Sequence, residues 1–381
     1  MSHYHIFSIN PGSTSTKIAL FEDQEELFRT TVTHNASQLA LFPTIPDQFA
    51  FRRDTILSAL DASGISLEGV DAFVGRGGGL VSCEGGTYEI NSVLLEHART
   101  CYTVKHPAAL GPVLANAFAE TYGGRAFVVN PPDVDELQPV ARICGLRGVY
   151  RKSRFHALNQ KEVAIRLAAK LGKRYDETNL VVAHMGGGVS VTAHKHGRCI
   201  DTSDIVGGDG AYAPTRMGHV PAEDIIAMCF SGQYTEKQMR EKLTKTGGVT
   251  DLLGTSDVQE VSHRSSGGDA FAALVLQGMA YQIGKEIGAY AAVLHGHVDA
   301  IALTGGMARD DNMVRIICDM CGSLAPIHIF PGEWEMEALA SGALRVLTGA
   351  EQPKVYTGVP VWTGFDFPEN NDGAALPACS A

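Results

Sequence analysis

Three stretches of the chain repeat one pattern: an apolar run, a short turn rich in glycine or hydroxyl residues, and then a second element. In the first two, Tyr4–Leu20 and Leu180–Ala193, apolar and β-branched residues resume after the turn, which predicts strand, turn and strand. The third, Asp299–Gly306, is followed by helical spacing from Met307 to Cys321. This recurrence predicts two related halves, each built around a strand and its turn.

Helical spacing between these stretches predicts an alternating α/β chain. Helices are expected at residues 54–64, 108–121, 156–171 and 270–294, with strands at 70–74 and 125–130. Thr235 and Gln238 form a capping box that opens a helix through Leu243. A length of 381 residues exceeds what one core usually supports, so two domains are expected, and the irregular basic segment 142–155 is the predicted crossing between them.

Composition excludes several classes of function. A formal net charge of −11 argues against broad binding of nucleic acid or anionic membranes, because there is no excess of basic residues to displace counterions. The longest apolar region, 270–294, contains Gln277, Lys285 and Glu286, so we expect a buried helix and no membrane span. With no secretory segment before the first strand, the eight cysteines are expected to be reduced in a cytoplasmic enzyme.

The turns are candidate phosphate sites, because backbone N–H groups and hydroxyls hold a phosphate with little bulk. The first turn alone is more typical of an ordinary hairpin, but its recurrence at Met185–Gly188 and Thr304–Gly306 favours phosphate binding. The chain contains neither GxxxxGK[ST] nor a strand followed by GxGxxG opening a helix. Any bound phosphate would therefore be held by these three turns.

Two arginines and two histidines lie in segments that suit an anionic substrate. Arg76 lies between glycines and Arg216 lies in a loop punctuated by proline and glycine, where a guanidinium can bind a carboxylate or a phosphoryl group. His106 precedes a proline and His156 follows a basic segment. One loop arginine is usually a solvated charge, whereas two make a clamp for anions a reasonable hypothesis.

Metal ligation is less clearly indicated. Asp201, Asp204 and Asp209 lie near a Gly-Gly turn and are candidates for water-mediated Mg²⁺ binding, although acidic loop residues are usually just solvated. The pair His194 and His196 has no third ligand at a diagnostic spacing.

Six motifs, taken in order, resemble the acetate kinase family of the sugar-kinase, Hsp70 and actin superfamily, and its butyrate kinase branch in particular. They are INPGSTSTK, GRGGG, RKSRFHALN, AHMGGGVSVTAHKHGRCIDTS, LTGGMARDDNMVR and PGEWEMEALASGALRVL. The resemblance implies an α/β fold of two duplicated ribonuclease H-like (actin-like ATPase) domains with a nucleotide cleft between them. It also implies an acid and phosphoryl-site domain formed by residues 1–148 plus 336–381, a nucleotide-binding domain formed by 149–335, and a homodimer or larger homo-oligomer.

By the same resemblance, the chain would use ATP and Mg²⁺ to phosphorylate a short-chain carboxylic acid, butyrate or similar, giving ADP and an acyl phosphate in a reversible reaction. The implied positions near the transferred phosphoryl group are Asn10, Ser13, Ser15 and Lys17. Those that hold the nucleotide are Gly186, Gly187, Gly188, Gly305 and Gly306. The arginines of the carboxylate and phosphoryl clamp are Arg76 and Arg216, the paired active-site histidines are His106 and His156, and the acidic Mg²⁺ position is Glu333 or Glu335.

Two alternatives remain open at this point. One is an acetate or propionate kinase of the same family, which differs only in the acid accepted. The other is a nucleotide-binding regulator that has lost phosphoryl transfer. The regulator is favoured by Asn130, which stands where the family's pattern has an aspartate, whereas Asp133 and Asp135 lie close enough in sequence to substitute. The presence of both Arg76 and Arg216 favours the enzyme.

Overall fold

The computed structural model describes residues 3–366 and divides the chain into two compact units. The first unit is Met1–Asp135 with Trp334–Ala381, and the second is Glu136–Glu333. Residues 367–381 of the predicted first domain lie outside the described residues. The roles assigned from the sequence, an acid-site domain at 1–148 plus 336–381 and a nucleotide domain at 149–335, stay a prediction.

The structural junction between Asp135 and Glu136 lies upstream of the segment 142–155, where the sequence placed the crossing. Two contacts explain its position. The backbone N–H of Gln138 donates to the carbonyl of Ile200, and Arg151 forms an ion pair with Asp201. The irregular basic segment is therefore packed into the second unit.

Residues 3–366 form eleven strands and thirteen α-helices. The strands are β1 (His5–Pro11), β2 (Ser15–Glu22), β3 (Glu25–Thr33), β4 (Ala72–Gly75), β5 (Thr87–Glu89), β6 (Arg125–Val129), β7 (Asn179–Met185), β8 (Val189–Lys195), β9 (Arg198–Thr202), β10 (Ala300–Gly305) and β11 (Ile327–Pro331). The helices are α1 (Ala36–Leu39), α2 (Phe49–Ala62), α3 (Ser92–Thr100), α4 (Leu110–Tyr122), α5 (Pro139–Arg142), α6 (Ala157–Lys170), α7 (Ala222–Phe230), α8 (Glu236–Thr244), α9 (Val249–Leu253), α10 (Val258–Ser266), α11 (Ala270–Val293), α12 (Asp311–Cys321) and α13 (Glu335–Leu347). Short 3₁₀ turns occupy Pro46–Gln48, Pro107–Ala109, Tyr175–Glu177 and Gly306–Arg309.

The first unit is built on one six-stranded mixed sheet in the order β3-β2-β1-β4-β6-β5. Strands β1, β4 and β6 run parallel, while β2, β3 and β5 each run antiparallel to their neighbour. Side chains alternate across β1, so Phe7 and Ile9 join the core beneath α4, while the hydroxyl of Ser8 donates to the carbonyl of Met336 in α13. Helices α4 and α13 therefore cover opposite faces of this sheet.

The second unit repeats this plan with five strands in the order β11-β10-β7-β8-β9. Strands β7, β10 and β11 run parallel, and β8 and β9 are antiparallel to their neighbours. The order and directions match β6-β4-β1-β2-β3 of the first unit. Helix α11 packs on β7 and β8, and α6 packs on β7 and β10. The predicted duplicated ribonuclease H-like α/β fold is confirmed.

Sequence predictions for single elements agree with the structure in type, but two helix starts differ, and the helix predicted at residue 54 begins at Phe49. The capping box at Thr235 is present, and the long apolar helix is α11. The helix predicted from Met307 begins only at Asp311, because the side chain of Asp310 accepts a hydrogen bond from the Met313 N–H and starts a new helix after a 3₁₀ turn. Within residues 3–366, no helix has the length and apolarity needed to cross a membrane.

Candidate active site

The turn between β1 and β2 carries the hydroxyl residues predicted to lie near a phosphoryl group. Asn10 and Lys17 are paired across the two strands, one step before the turn. The Gly12 N–H donates to the Ser15 carbonyl at 2.7 Å, which closes the turn. Ser13 is exposed and Ser15 is half-buried. The turn therefore presents hydroxyl groups and backbone N–H groups at an accessible tip.

A fully buried arginine lies beneath this turn, and sequence reasoning missed it. Arg52 is 0% exposed and donates to the carbonyls of Ser15 (3.2 Å) and Ser13 (3.5 Å), to Thr16 Oγ1 (3.1 Å) and to Gln48 Oε1 (3.0 Å). Burial lowers the pKa of Arg52 to about 10. Among residues 3–366 it has no carboxylate partner. A fixed positive charge thus stands under the proposed phosphate turn.

The sequence did contain a signal for Arg52. Within α2 it lies four and eight residues before Ile56 and Leu60, which form the buried stripe of the helix. A charged residue on the apolar stripe of a short helix indicates a buried partner. The predicted helix started at residue 54, which excluded Arg52 from the pattern.

Three predicted site residues come together at the end of β4. Nη1 of Arg76 lies 2.8 Å from Glu335 Oε1, Asn10 Nδ2 donates to Glu335 Oε2 at 2.7 Å, and Arg76 Nη1 lies 3.5 Å from Asn10 Oδ1. A Cβ atom at Gly75 would overlap the backbone of Gly111, so only glycine lets β4 run this close to α4. Arg76 is therefore held beside the β1–β2 turn by a carboxylate and an amide.

His106 precedes the 3₁₀ turn Pro107–Ala109 in the same unit. Its Nδ1 accepts a hydrogen bond from the Ala108 N–H at 3.1 Å, so a neutral ring carries its proton on Nε2. Partial burial lowers the pKa of His106, and the positive charges of Arg76 and Arg52 lower it further. His106 is therefore held as a neutral imidazole that can donate through Nε2.

The second unit places its glycine turn at the corresponding position between β7 and β8. The Gly186 N–H donates to the Gly188 carbonyl at 3.0 Å. Gly305, at the end of β10, has φ of 93°, and a Cβ atom there would overlap the backbone of Met185. Gly306 has open space on its Cβ side. The structure thus brings the two predicted nucleotide turns against each other.

Arg216 lies directly on this glycine turn. A Cβ atom at Gly188 would overlap the Arg216 guanidinium, and Thr215 Oγ1 donates to the Gly187 carbonyl at 3.2 Å. Nε and Nη1 of Arg216 are buried and find no hydrogen-bond acceptor among residues 3–366. Burial lowers the pKa of Arg216. Buried donors without acceptors are costly, so this edge of the guanidinium is suited to an anion.

His156 lies at the base of the same turn, just before α6. Its Nδ1 lies 2.8 Å from Ser190 Oγ, and its ring stacks on His184 with centroids 3.9 Å apart. His184 and Ser190 are paired across β7 and β8, one step before the turn. Sequence reasoning missed both as site residues, although a polar residue at a buried strand position beside a glycine turn was a readable signal.

The candidate Mg²⁺ ligands separate in the structure. Glu335 begins α13 with both carboxylate oxygens engaged, whereas Glu333 is exposed and belongs to the other unit. The carboxylates of Asp201 and Asp209 pair with Arg151 at 2.6 and 3.1 Å, so these aspartates stabilise the protein's own loop. Residues 3–366 assemble no group of three metal-ligating His, Cys, Asp or Glu side chains.

Asn130 has a structural explanation. It adopts φ of 38°, a left-handed conformation that asparagine tolerates better than most residues. Its Oδ1 accepts from the Gly86 N–H at 2.7 Å, and its own N–H donates to the Gly86 carbonyl at 2.9 Å. Asp133, three residues on, accepts a backbone hydrogen bond from Leu80, and burial raises its pKa to about 7. Asn130 therefore ties the end of β6 to the residue before β5, and the Asp133 carboxyl group lies three residues on in the chain.

Comparisons with known proteins identify the family of this chain. The family model described as the acetokinase family matches residues 138–337. Butyrate kinase 2 of Clostridium acetobutylicum is 44% identical over 353 residues, which cover 93% of this chain and 99% of the relative.

Two solved structures show the same fold at low sequence identity. The acetate kinase of Porphyromonas gingivalis superposes with a TM-score of 0.74 at 21% identity, covering 90% of this chain and all of the other. A propionate kinase from Francisella tularensis gives a TM-score of 0.67 at 19% identity, covering 89% of this chain and 98% of the other. The family model and the 44% identical relative show that the chain belongs to the acetokinase family and is a carboxylate kinase.

Proposed function

We propose that this carboxylate kinase transfers the γ-phosphoryl group of ATP to a short-chain fatty acid, butyrate or a close relative, and also runs in reverse to form ATP. The preferred acid is proposed from the relative at 44% identity, which is named a butyrate kinase. The observation that carries the proposal is Arg216, whose buried Nε and Nη1 find no acceptor among residues 3–366 beside a glycine turn. This arrangement supports phosphoryl binding at the turn.

The chemistry requires positioning and charge neutralisation more than acid or base catalysis. A carboxylate oxygen of the acid attacks the γ-phosphorus, a new P–O bond forms, and the bond to the departing ADP oxygen breaks. No proton has to be removed, because the carboxylate is already ionised. Both reactants are anions, so fixed cations and N–H donors supply the main stabilisation of the transition state.

In the first unit we assign the acid and the transferred phosphoryl group to the β1–β2 turn and its surroundings. Asn10, Ser13, Ser15 and Lys17 would lie beside the phosphoryl group, and Arg76 would hold the acid's carboxylate. Buried Arg52 adds a positive charge beneath the turn. His106 donates through Nε2, since its Nδ1 is occupied by the backbone.

In the second unit we assign the nucleotide to the two glycine turns. Gly186, Gly187 and Gly188 would cradle its phosphates through backbone N–H groups, and Gly305 and Gly306 would border the adenosine. Arg216 would donate from Nε and Nη1 to the transferring phosphoryl group, with His156 as a second donor.

The residues present also suit Mg²⁺, which prefers carboxylate and amide oxygens. The two Glu335 carboxylate oxygens contact Arg76 and Asn10 and would be shared with the ion, Asn10 Oδ1 lies 3.5 Å from the same arginine, and exposed Glu333 is the other candidate ligand. When bound with ATP, the ion would neutralise charge on the nucleotide phosphates. A homodimer or larger homo-oligomer and a cytoplasmic location stay predictions.

Trapping the product with hydroxylamine tests the function directly. The protein is incubated with MgATP and straight or branched acids of two to six carbons, and acyl hydroxamate is measured against controls without acid and without ATP. We expect the highest kcat/KM with four-carbon acids. Preference for acetate or propionate would replace butyrate within the same class. No product from any acid would overturn the kinase proposal and leave the nucleotide-binding regulator.

A further inference from the structure

A line of hydrogen bonds in the second unit leads from Tyr175 to His156. Tyr175 OH lies 2.8 Å from His194 Nδ1, and His194 Nε2 lies 3.3 Å from Gln160 Oε1. Gln160 Nε2 lies 2.8 Å from Ser190 Oγ, which lies 2.8 Å from His156 Nδ1. The three middle residues are 0% exposed. Water therefore does not compete for the bonds among these three residues, and each of their donors needs a protein acceptor.

The backbone carbonyl of Ser190 fixes which atom donates and which accepts along the line. Gln160 Nε2 also donates to the backbone carbonyl of Ser190 at 3.0 Å, and a carbonyl can only accept. This fixes the orientation of the Gln160 amide, with its Oε1 facing His194. His194 must then carry its proton on Nε2, which leaves Nδ1 to accept the hydroxyl proton of Tyr175.

Protonation states agree with this direction. Burial lowers the pKa of His194 to about 3, helped by the charge of Lys161, so the ring is neutral with one N–H. Burial raises the pKa of Tyr175, so its hydroxyl keeps its proton. The O–H of Tyr175 therefore donates to His194 Nδ1, and the N–H of His194 donates to Gln160 Oε1.

At the other end of the line, the hydrogen bonds of Ser190 determine which nitrogen of His156 carries the proton. Ser190 Oγ accepts from Gln160, so its own proton is directed to His156 Nδ1. Among residues 3–366 Ser190 Oγ has no other acceptor, so a proton on His156 Nδ1 would leave the Ser190 hydroxyl proton unpaired in this buried site.

We propose that Gln160, His194 and Tyr175 are positioning residues that act through Ser190 to hold His156 as a neutral imidazole with its proton on Nε2. The consequence for catalysis rests on the proposed function: His156 serves the transferring phosphoryl group as a hydrogen-bond donor of fixed geometry, and not as a base.

Nitrogen NMR of the histidine side chains tests the proposal without relying on activity. The full-length protein is labelled with ¹⁵N-histidine, the His156 signal is assigned by its loss in His156→Gln, and two-bond couplings report which nitrogen carries the proton. We expect the Nε2–H form in the wild type near neutral pH. In Ser190→Ala and Gln160→Met, we expect the Nδ1–H form or a mixture, while the matched exposed change Ser266→Ala leaves the signal unchanged.

Kinetics of the same variants show whether the effect reaches catalysis. We expect kcat to fall about 10-fold in Ser190→Ala and less in Gln160→Met, with KM values within about 2-fold of wild type. Tyr175→Phe, a mild change at the far end of the line, is expected to lower kcat by about 2-fold. The exposed control Tyr281→Phe should have no effect.

The NMR and kinetic measurements distinguish failure of this inference from failure of the proposed function. An Nδ1–H or doubly protonated His156 in the wild type would overturn the inference, and so would an Nε2–H form that persists in both Ser190→Ala and Gln160→Met. Should a variant fail to fold, the wild-type spectrum and the kcat of Tyr175→Phe still test the inference. Absence of acyl phosphate with every acid would overturn the proposed function and leave the tautomer result standing.

Discussion

The two units share one sheet plan but carry different chemistry at equivalent positions. One step before each turn, the first unit pairs Asn10 with Lys17 and the second pairs His184 with Ser190. Directly after the parallel neighbour strand, the first unit has Arg76, whereas the second continues into a 3₁₀ turn. The comparison shows that the duplicated fold displays polar groups at equivalent positions, and that the residues at those positions differ between the units.

The two turns are also supported in different ways. The β1–β2 turn rests on a buried cation, because Arg52 donates to its carbonyls. The β7–β8 turn instead packs against the backbone at Gly305 and against the guanidinium of Arg216. The β1–β2 turn depends on a long side chain from α2, whereas the β7–β8 turn depends on glycines that leave room for its neighbours. Four predictions test this contrast.

The largest effect is expected from Arg216→Ala. Removing the buried donors beside the glycine turn should lower kcat by about 10³-fold, as loss of an arginine that stabilises a transferring phosphoryl group does. Binding of ATP, measured by calorimetry, should change little, because the backbone of the turn remains. The exposed Arg240→Ala serves as the control. Unchanged turnover in Arg216→Ala would contradict the role assigned to this residue.

The second prediction concerns the support of the first turn. Arg52→Met removes four hydrogen bonds from a buried site and should lower the free energy of unfolding of the first unit by about 3 kcal/mol. Its neighbour Arg53, whose side chain is 42% exposed and paired with Asp54, provides the matched control Arg53→Met. Urea unfolding measures both. Equal stability of the two variants would mean that the cation beneath the turn is dispensable.

Adjacent glycines of the second turn should differ sharply. Gly188→Ala would place a methyl group into the Arg216 guanidinium, so we expect kcat to fall about 100-fold as the arginine is displaced. Gly187→Ala meets open space and keeps its N–H, so its kcat should stay within about 3-fold of wild type. Similar losses in the two variants would show that the turn needs glycine for its backbone and not for Arg216.

The smallest effect concerns the pH dependence of the loop that carries Arg216. His219 Nε2 lies 2.7 Å from Asp209, and this hydrogen bond raises the pKa of His219. Although burial by itself raises the pKa of Asp209, hydrogen bonds from His219 and Arg151 lower it to about 2. The stability from His219 is complete below its unfolded pKa of about 6.5 and is lost as pH rises through the raised folded value.

His219→Gln should therefore shift the urea midpoint more at pH 5.5 than at pH 8.5, because the charge on His219 is lost as pH rises through its raised folded pKa. His263→Gln, an exposed histidine on α10, is the control at both pH values. A larger shift at pH 8.5 would contradict the assigned ion pair. The histidine–carboxylate pairs of the first unit, His3 with Asp23 and His5 with Glu22, are untouched by this change, so the effect should be confined to the second unit.

Local patterns predicted most of the fold because the information was local. The apolar runs and turns located β1, β2, β7 and β8, and the capping box located α8. Arg52 was missed because the predicted helix began at residue 54 and because the carbonyls that Arg52 contacts lie 37 and 39 residues away in the chain. The start of α12 was misplaced because two overlapping turn signals, the glycines and Asp310, compete within five residues, and the Asp310 side chain decides between them.

By itself, the sequence determined the α/β class, the repeated strand and turn units, the family and the arginines that suit an anion, because residue type and spacing encode these. Only the tertiary structure decided which side chains meet. It placed Arg76 against Glu335 and Asn10, laid Arg216 on Gly188, and joined Tyr175 to His156 through three buried residues. Such contacts depend on sheet register and on the packing of distant segments, which no local pattern contains.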